Sequence, residues 1–444
     1  MDKLPRQLKT AIYTLGCKVN YFEAEALKEE FRRQGFSITG DEENADVCVV
    51  NSCTVTHQAA RKTRQLIRKL RKANPGALIV VTGCYSQVDP EEVALLPEVD
   101  LLTGTGEKLL VPELVKKKLA GERERNLVRL YTDEGKEMFE EMPWTSKQER
   151  TRAFLKIQDG CRQFCTYCII PLARGPLRSL APESGERYLR QIGCRGFKEV
   201  VLTGIHLGLY GVDLHPPATL SSFLQRAVKV DDLERIRLSS IEPTDVTDDL
   251  IGVISRNERI CRHLHIPLQS GDDTILWKMG RPYKTDYYRN LLDKLYREIP
   301  DLAISTDIMV GFPGEDEEKF QRSLEFVRQG SFSRLHVFRY SPRRGTPAAE
   351  MAPQVEAREK EKRSKKMIQL GKELTRAFQE TFLGRTIPVL LEEEDPRLPG
   401  FWEGHTSNYL RVRVKMGAGD WKGKVVYPRL RENRGDYLKG ELQP

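Results

Sequence analysis

The sequence has little cysteine and no long apolar run. Its 444 residues include nine cysteines, an odd number that is too small for a disulfide-stabilised scaffold of this length. No apolar stretch approaches the roughly 18 residues of a membrane-spanning helix, and the amino terminus lacks the apolar core of a secretory signal. We therefore expect a cytoplasmic protein whose thiols are reduced and available for metal binding.

Charged residues are abundant. They make up 31% of the chain, hydrophobic residues make up 39%, and the net charge is +8. This balance provides enough apolar side chains for packed cores, and the length suggests about three domains. The positive charge permits a polyanionic partner such as a nucleic acid but does not require one, because many basic enzymes share it.

The clearest motif is Cys161-Arg-Gln-Phe-Cys165-Thr-Tyr-Cys168, a C-x3-C-x2-C run. Three thiolates this close can ligate three irons of a 4Fe-4S cluster, which leaves the fourth iron open to a small molecule. A structural zinc site would instead have four closed ligands. The alternative, three ordinary buried thiols, would make this spacing a coincidence.

The first third of the chain alternates strands with helices. Strands are predicted at 10–16, 46–50 and 78–81, with helices at 21–34 and 57–72. This alternation predicts a doubly wound parallel sheet, in which ligands bind beyond the carboxyl ends of the strands.

Three further cysteines follow these predicted strands. Cys17, Cys53 and Cys84 each come just after one of them, so we expect the three thiols to converge as a second iron–sulfur site. The alternative is three unrelated core cysteines, since free cysteine is often buried. The remaining cysteines are interpreted as structural; they are Cys48, Cys194 and Cys261.

The middle of the chain has six predicted strands at the spacing of strand–helix units. They lie at 153–157, 199–203, 235–239, 262–266, 302–306 and 334–338. Six such units predict a partial (β/α)6 barrel with its chemistry at the carboxyl rim. A charged stretch at 121–148 before them is interpreted as a linker or peripheral excursion.

Glycines and polar side chains follow these strands and are candidate contacts for a nucleoside-type cofactor. The candidates are Gly204, Ser240, Glu242, Gln269, Asp307, Gly311, Pro313 and Gly314, together with Tyr167 in the cysteine run. Each is weak alone, since a Gly-Pro turn is usually only a turn. Three histidines are interpreted as hydrogen-bonded or surface residues rather than metal ligands; they are His206, His263 and His265.

The last hundred residues begin with Arg343 and Arg344, which the sequence suggests are exposed, followed by an amphipathic helix at 357–382. Short strands are predicted at 387–391, 410–414 and 424–427, and they favour a small antiparallel β-barrel. One of them alternates apolar residues with a basic face, which consists of Arg411, Arg413 and Lys415. This module either binds oligonucleotides or only stabilises the fold. The basic helix at 57–72 likewise has either a solvated or a phosphate-contacting face.

These residues together resemble the radical S-adenosylmethionine (SAM) methylthiotransferases over almost the whole chain. The first cysteine triad matches that family's auxiliary cluster and the second its radical-SAM cluster, while the carboxyl-terminal module looks like its RNA-binding TRAM domain. The resemblance implies a methylthiotransferase domain at 1–145, a radical SAM domain at 146–380 and a TRAM-like domain at 381–444.

The segment Thr14-Leu-Gly-Cys-Lys-Val-Asn20 is most similar to the branch that modifies N6-threonylcarbamoyladenosine. The resemblance then implies an enzyme that methylthiolates C2 of this nucleoside at position 37 of tRNA, using two 4Fe-4S clusters and SAM. Its implied partners are the tRNA anticodon loop, a low-potential electron donor of the flavodoxin or ferredoxin type, and an unidentified sulfur donor. Three alternatives remain: a branch acting on isopentenyladenosine, one acting on a ribosomal-protein aspartate, and a non-catalytic iron–sulfur RNA-binding protein.

Overall fold

A computed structural model describes residues 7–40, 44–121, 138–144 and 150–442. The chain divides into two compact units. The first unit comprises 1–147, 158–180 and 341–349, and the second comprises 148–157, 181–340 and 350–444. Most of the charged stretch at 121–148 lies outside the described residues. Within the described part, no helix is both long and apolar enough to span a bilayer.

Residues 7–121 form a five-stranded sheet with helices on both faces. Its elements are β1 (Lys9–Thr14), α1 (Lys18–Arg33), β2 (Ser37–Ile38), β3 (Val47–Ser52), α2 (His57–Ala73), β4 (Leu78–Gly83), α3 (Cys84–Val88), α4 (Pro90–Ala94), β5 (Leu101–Leu102) and α5 (Val111–Leu119). The strand order is β2-β1-β3-β4-β5 and every pair is parallel. The predicted parallel sheet is therefore confirmed.

The central strand β3 explains why this part of the sequence is apolar without alternation. Cys48 and Val50 pack in one core with Ile67 of α2, whereas Val47 and Val49 pack on the other face with α1 and α5. A parallel strand covered on both faces is apolar along most of its length, as β3 is from Val47 to Val50. Cys48 is fully buried in this core, which agrees with its structural interpretation.

The middle of the chain contains six parallel strands where the sequence predicted them. The elements are β6 (Ala153–Lys156), β7 (Gln158–Asp159), α6 (Ile170–Arg174), β8 (Arg178–Ser179), α7 (Pro182–Cys194), β9 (Glu199–Thr203), α8 (Leu220–Ala227), β10 (Arg235–Leu238), α9 (Asp248–Arg256), β11 (His263–His265), α10 (Asp273–Lys278), α11 (Thr285–Glu298), β12 (Ala303–Val310), α12 (Glu317–Gln329) and β13 (Arg334–Arg339). Among them β7, α6 and β8 belong to the first unit.

The six strands form two parallel sheets of three, β10-β9-β6 and β11-β12-β13. Isolated parallel bridges join β10 to the segment around β11, one between Ile236 and Ile260 and one between Ser240 and His265. The strands therefore follow one another in chain order, and their carboxyl ends share one edge.

The remaining elements are α13 (Pro347–Glu350), α14 (Ala357–Glu380), β14 (Val389–Glu394), β15 (Phe401–Thr406), β16 (Arg411–Lys415), β17 (Val425–Val426), β18 (Arg429–Asn433) and β19 (Leu438–Glu441). The strands form a sheet in the order β17-β14-β15-β16-β19-β18. The predicted antiparallel module is confirmed in part: its other strand pairs are antiparallel, but β16 and β19 are parallel. A hairpin joins only strands that are consecutive in sequence and makes them antiparallel. Since β17 and β18 lie between β16 and β19 in sequence, no hairpin joins these two strands.

The carboxyl-terminal sheet packs against the parallel strands within the second unit. Arg237 on β10 donates to Glu199 at 2.6 Å and lies 4.5 Å from the centroid of the Tyr409 ring. Arg152 donates to the Tyr409 hydroxyl at 2.9 Å, and Arg235 donates to the Pro388 carbonyl at 2.8 Å. These buried polar contacts fix the small sheet on the parallel strands.

Candidate functional site

The first cysteine triad lies at the carboxyl ends of three parallel strands. Cys17 precedes α1, Cys53 directly follows β3, and Cys84 directly follows β4. Gly16 has a φ of +115°, and a Cβ built on it would lie 2.9 Å from the Cβ and 3.1 Å from the Sγ of Cys53. The thiols also interact electrostatically with one another. The structure therefore brings together the three thiols that the sequence predicted to converge.

Asn20, the last residue of the segment that carries the branch resemblance, holds this arrangement. Its side-chain amide donates to the Leu15 carbonyl at 2.8 Å and to the Ser52 carbonyl at 3.0 Å. Asn51 in turn donates to the Asn20 carbonyl at 2.9 Å. Sequence reasoning assigned Asn20 no structural role and placed it just before the predicted helix, whereas Asn20 lies on the buried side of α1 with 1% exposure.

Burial disfavours the thiolate form of Cys17 and Cys53. Burial raises the pKa of the Cys53 thiol to about 11, and crowding by protein atoms raises the pKa of the Cys17 thiol although part of that residue is exposed. The charge of Arg174 opposes the increase at Cys17. A metal ion that bound to Cys53 would have to displace the proton of this thiol, because a pKa of about 11 keeps it protonated at neutral pH.

The second triad lies on a tightly held loop after β7. Gly160 has a φ of +74°, and a Cβ there would lie 1.7 Å from the Pro176 carbonyl oxygen. The Cys161 amide donates to the Gly175 carbonyl at 3.0 Å, and the Cys168 amide donates to the Cys165 carbonyl at 2.9 Å. Only glycine fits at position 160, because any side chain would collide with backbone.

Within this loop, Phe164 has a left-handed backbone and a side chain that is 66% exposed. A bulky residue in that region is strained, and such strain is common at functional loops. Tyr167 is half-buried between Cys165 and Cys168.

The donor sets fit iron–sulfur clusters better than single ions. Among the described side chains, only His265, Asp307 and His336 place three ligand atoms within 4.8 Å of one another; neither cysteine triad does. Tetrahedral zinc with bonds of about 2.3 Å would hold its sulfurs roughly 3.8 Å apart. Thiolates bound to different irons of one cluster are farther apart.

Arg343 lies beside the first triad, and the prediction that it is exposed is wrong. It is 5% exposed, contacts the Thr54 hydroxyl and donates to Asp89 at 3.1 Å. The partner carboxylate is 254 residues away in sequence, so no local pattern could show it. Arg344 is exposed, as expected.

The candidate cofactor contacts lie in the second unit, apart from Tyr167. Gly204 is half-buried after β9, and Ser240 is exposed after β10. Glu242 forms an ion pair with Arg281, a buried residue that the sequence analysis missed. Gln269 has a left-handed backbone with a φ of +68°, and its backbone N–H donates to the backbone carbonyl of Asp307 at 2.8 Å.

The turn at 311–314 has a clear packing role. The Gly311 amide donates to the Glu315 carboxylate at 2.7 Å, and a Cβ on Gly311 would lie 2.2 Å from Lys360. The Gly314 amide donates to the Pro353 carbonyl at 2.9 Å, and Pro313 is buried. Close packing thus accounts for both glycines, against Lys360 of α14 at Gly311 and against Lys278 of α10 at Gly314.

Asp307 joins two histidines on neighbouring strands. His265 lies 3.1 Å from its Oδ1 and His336 lies 3.5 Å from the same atom. Burial alone would raise the pKa of Asp307, but hydrogen bonds from the two histidines outweigh it and lower that pKa to about 2.

The histidines interpreted from sequence as hydrogen-bonded do have partners. His206 lies 2.7 Å from Asp245, while His263 and His265 lie 3.0 and 2.9 Å from the Ser305 hydroxyl. His336, which was not singled out, completes a group with metal-ligand spacing together with His265 and Asp307.

Comparisons with known proteins agree with this geometry. Residues 9–104 match the "Uncharacterized protein family UPF0004" and residues 155–327 match the "Radical SAM superfamily". The chain is 39% identical over 438 residues to the threonylcarbamoyladenosine tRNA methylthiotransferase MtaB of Bacillus subtilis, covering 97% of this chain and 96% of that protein. The chain belongs to the radical SAM methylthiotransferases. It is therefore an enzyme that uses SAM and 4Fe-4S clusters.

The chain is also similar to a second kind of methylthiotransferase and to a solved radical SAM structure. A tRNA-2-methylthio-N(6)-dimethylallyladenosine synthase of Pelotomaculum thermopropionicum is 34% identical over 440 residues, covering 98% of this chain and 97% of that protein. The radical SAM methyltransferase TsrM of Kitasatospora setae shares the fold, with a TM-score of 0.57 and 15% identity over 78% of this chain and 77% of that one.

Proposed function

We propose that this methylthiotransferase inserts a methylthio group at C2 of N6-threonylcarbamoyladenosine at position 37 of tRNA. The observation that carries the proposal is the pair of three-cysteine sites within one compact unit, because sulfur insertion needs a cluster for the radical and a source for the sulfur. The choice of nucleoside rests on the 39% identity to MtaB against 34% to the dimethylallyladenosine synthase.

In this proposal Cys161, Cys165 and Cys168 hold the radical-SAM cluster, and Cys17, Cys53 and Cys84 hold the auxiliary cluster. When bound, the clusters and SAM supply a 5′-deoxyadenosyl radical and the sulfur to be transferred. The aromatic C2–H bond is inert to ordinary nucleophilic sulfur, which is why a radical route is needed. The chain itself orients the cofactor and excludes water from it.

We propose that the residues named from the sequence contact SAM. They are Tyr167, Gly204, Ser240, Glu242, Gln269, Asp307, Gly311, Pro313 and Gly314. Glu242 and Asp307 are supported by their partners, since Arg281 and the two histidines hold these carboxylates in fixed positions. Preorganised polar groups of this kind orient a ligand without a reorganisation cost.

The finer architecture also belongs to this proposal. We assign a methylthiotransferase domain to 1–145, a partial (β/α)6 radical SAM barrel to 146–380 and a TRAM-like RNA-binding domain to 381–444. The tRNA anticodon loop is the proposed substrate, because its bases are single-stranded and can enter a pocket. A flavodoxin- or ferredoxin-type electron donor, a separate sulfur donor and a cytoplasmic location stay predictions.

The deciding experiment is nucleoside mass spectrometry of tRNA from a strain that lacks the gene. Loss of 2-methylthio-N6-threonylcarbamoyladenosine, restored by this chain but not by its Cys165→Ala variant, is the expected result. Unchanged levels of that nucleoside, with loss of 2-methylthio-isopentenyladenosine, would move the enzyme to the other tRNA branch. Loss of methylthio-aspartate from a ribosomal protein would exclude a tRNA substrate.

A further inference from the structure

A fully buried charged cluster surrounds Arg174, at the carboxyl end of α6 in the first unit. The Arg174 guanidinium is 0% exposed and donates to Glu23 at 2.5 and 3.2 Å, to Asn20 at 2.6 Å and to Asp159 at 3.3 Å. Lys108, also 0% exposed, pairs with the same Glu23 carboxylate. Ion pairs this deeply buried add little net stability, so their presence needs another reason.

The partners of Arg174 lie close in sequence to cysteines of both triads. Asn20 comes three residues after Cys17, and its side chain binds the Ser52 carbonyl next to Cys53. The Asp159 carboxylate accepts the Gly160 amide at 2.9 Å, immediately before Cys161. One side chain therefore connects the loops that carry the ligands of the two proposed clusters.

Arg174 also has a donor that no protein group satisfies. Its Nε is buried, and no acceptor in the part of the chain that the structure describes lies within hydrogen-bonding distance of it. Its charge interacts electrostatically with Cys84 and Cys17. Buried donors nearly always have a partner, so an orphan beside two sulfur ligands indicates an acceptor that arrives with the ligand.

We propose that Arg174 is a positioning residue that donates its Nε–H to a sulfur of the auxiliary cluster, fixes that cluster relative to the Cys161 loop and raises its reduction potential. The inference rests on the proposed function, because it assumes a cluster on Cys17, Cys53 and Cys84. Hydrogen bonds and positive charge near cluster sulfurs stabilise the reduced, more negative state.

The test is a redox titration followed by electron paramagnetic resonance. The full chain is reconstituted anaerobically with Cys161, Cys165 and Cys168 replaced by alanine, so that only the auxiliary cluster contributes to the signal. Arg174→Gln should lower the midpoint potential of the auxiliary cluster by at least about 59 mV. For a one-electron couple this shift lowers the reduced-to-oxidised ratio tenfold at a fixed potential. Glu23→Gln, which removes a negative charge beside Arg174, should raise the midpoint potential.

The variants are chosen to fold. After Arg174→Gln, Glu23 keeps Lys108 and Asp159 keeps Arg178 at 3.8 Å, so neither carboxylate is left without a cation. Arg71→Gln is the matched control: Arg71 pairs with Asp100 at 2.5 Å near the amino end of β4, at the opposite edge of the same sheet. Its midpoint potential should equal that of the parent chain.

The outcomes separate the two proposals. Shifts of opposite sign in Arg174→Gln and Glu23→Gln support the inference, as does loss of the auxiliary cluster from Arg174→Gln alone. An auxiliary cluster whose potential is unmoved by either change, or is moved equally by Arg71→Gln, overturns it and leaves the proposed function intact. No iron on the first triad of the parent chain would overturn the proposed function itself.

Discussion

The glycines that precede Cys17 and Cys84 are as constrained as the cysteines. Gly16 and Gly83 have φ values of +115° and +102°. A Cβ on Gly83 would lie 2.6 Å from the Ser52 carbonyl oxygen, and one on Gly16 would press on Cys53. Both positions need glycine twice over, for the backbone angle and for the space.

We therefore expect Gly16→Ala to lose the auxiliary cluster while retaining the radical-SAM cluster. Iron content and visible absorption should fall by about half, because two clusters of the same size are proposed. Gly35→Ala is the matched control, since Gly35 has a φ of +92° with nothing within 4 Å. It should cost only backbone strain of about 1–2 kcal/mol and keep its iron. Full iron content in Gly16→Ala would contradict the assigned role of this loop.

The two cysteine triads should fail in different ways. Cys17→Ala should still cleave SAM to 5′-deoxyadenosine but form no methylthiolated product, because only the proposed sulfur-bearing cluster is damaged. Cys165→Ala should lose cleavage altogether. Both products are measured by mass spectrometry after anaerobic reconstitution, and product formation by Cys17→Ala would refute the auxiliary site. Cys194→Ala, an exposed cysteine outside both triads, is the control and should do both reactions.

At the scale of single elements, β16 has the predicted alternation, but neighbouring carboxylates partly neutralise its basic face. Val412 and Val414 are buried, and Arg411 and Arg413 are on the other face. Glu403 on the neighbouring β15 binds both arginines, and Arg413 also pairs with Asp395 at 2.9 Å. The face is therefore partly neutralised by its own sheet.

Glu403→Gln should consequently strengthen tRNA binding. Removing the Glu403 carboxylate leaves Arg411 and Arg413 available to phosphates, so the affinity for tRNA at low salt should increase several-fold. The slope of the logarithm of the binding constant against the logarithm of the salt concentration should steepen by up to about 0.9 for each added phosphate contact. Fluorescence anisotropy with labelled tRNA across a salt series measures both quantities. Glu380→Gln, an exposed residue paired with Arg376 on α14, changes net charge equally and should have little effect. Equal gains in both variants would indicate a general charge effect.

The basic helix α2 shows the same use of charge within the fold. Arg64 donates to Glu92 at 2.7 Å, and Arg71 donates to the Ala77 carbonyl at 2.7 Å. Arg61, Lys62 and Lys72 are exposed. Only part of this helix can therefore serve the phosphate-contacting role that the sequence left open.

At the scale of the molecule, the buried carboxylate of Glu199 holds three arginines of the second unit together. Burial would raise the pKa of Glu199, but Arg237, Arg152 and Arg235 outweigh it and lower that pKa to about 2. Arg235 and Arg237 also donate to carbonyls around Thr406, so the carboxylate holds the arginines that bind the carboxyl-terminal sheet.

Glu199→Gln should therefore destabilise the second unit in a pH-dependent way. A carboxyl whose pKa falls from its usual 4.5 to about 2 on folding contributes on the order of 3 kcal/mol above pH 4.5, and this contribution disappears as pH falls towards 2. Urea denaturation followed by tryptophan fluorescence, to which Trp402 of the carboxyl-terminal sheet contributes, should show a large loss of unfolding free energy at pH 7 that narrows at pH 3. Glu186→Gln, in an exposed pair with Arg190, should change stability by at most about 0.5 kcal/mol. A deficit that does not depend on pH would contradict the assigned charge interaction.

The sequence by itself determined both cysteine triads and the positions of nine parallel strands. Strand ends and helix periods are local, and a parallel sheet must bring the carboxyl ends of its strands to one edge. It did not show β15, β18 and β19, because these short strands carry polar residues and turns that resemble loops.

Only the tertiary structure decided which charged side chains form ion pairs within the fold. Arg174 meets Glu23 across 151 residues, and Arg343 meets Asp89 across 254. An arginine looks the same in sequence whether it faces solvent, a buried carboxylate or a cluster. Its role depends on desolvation and on partners that folding supplies, and neither is encoded in neighbouring residues.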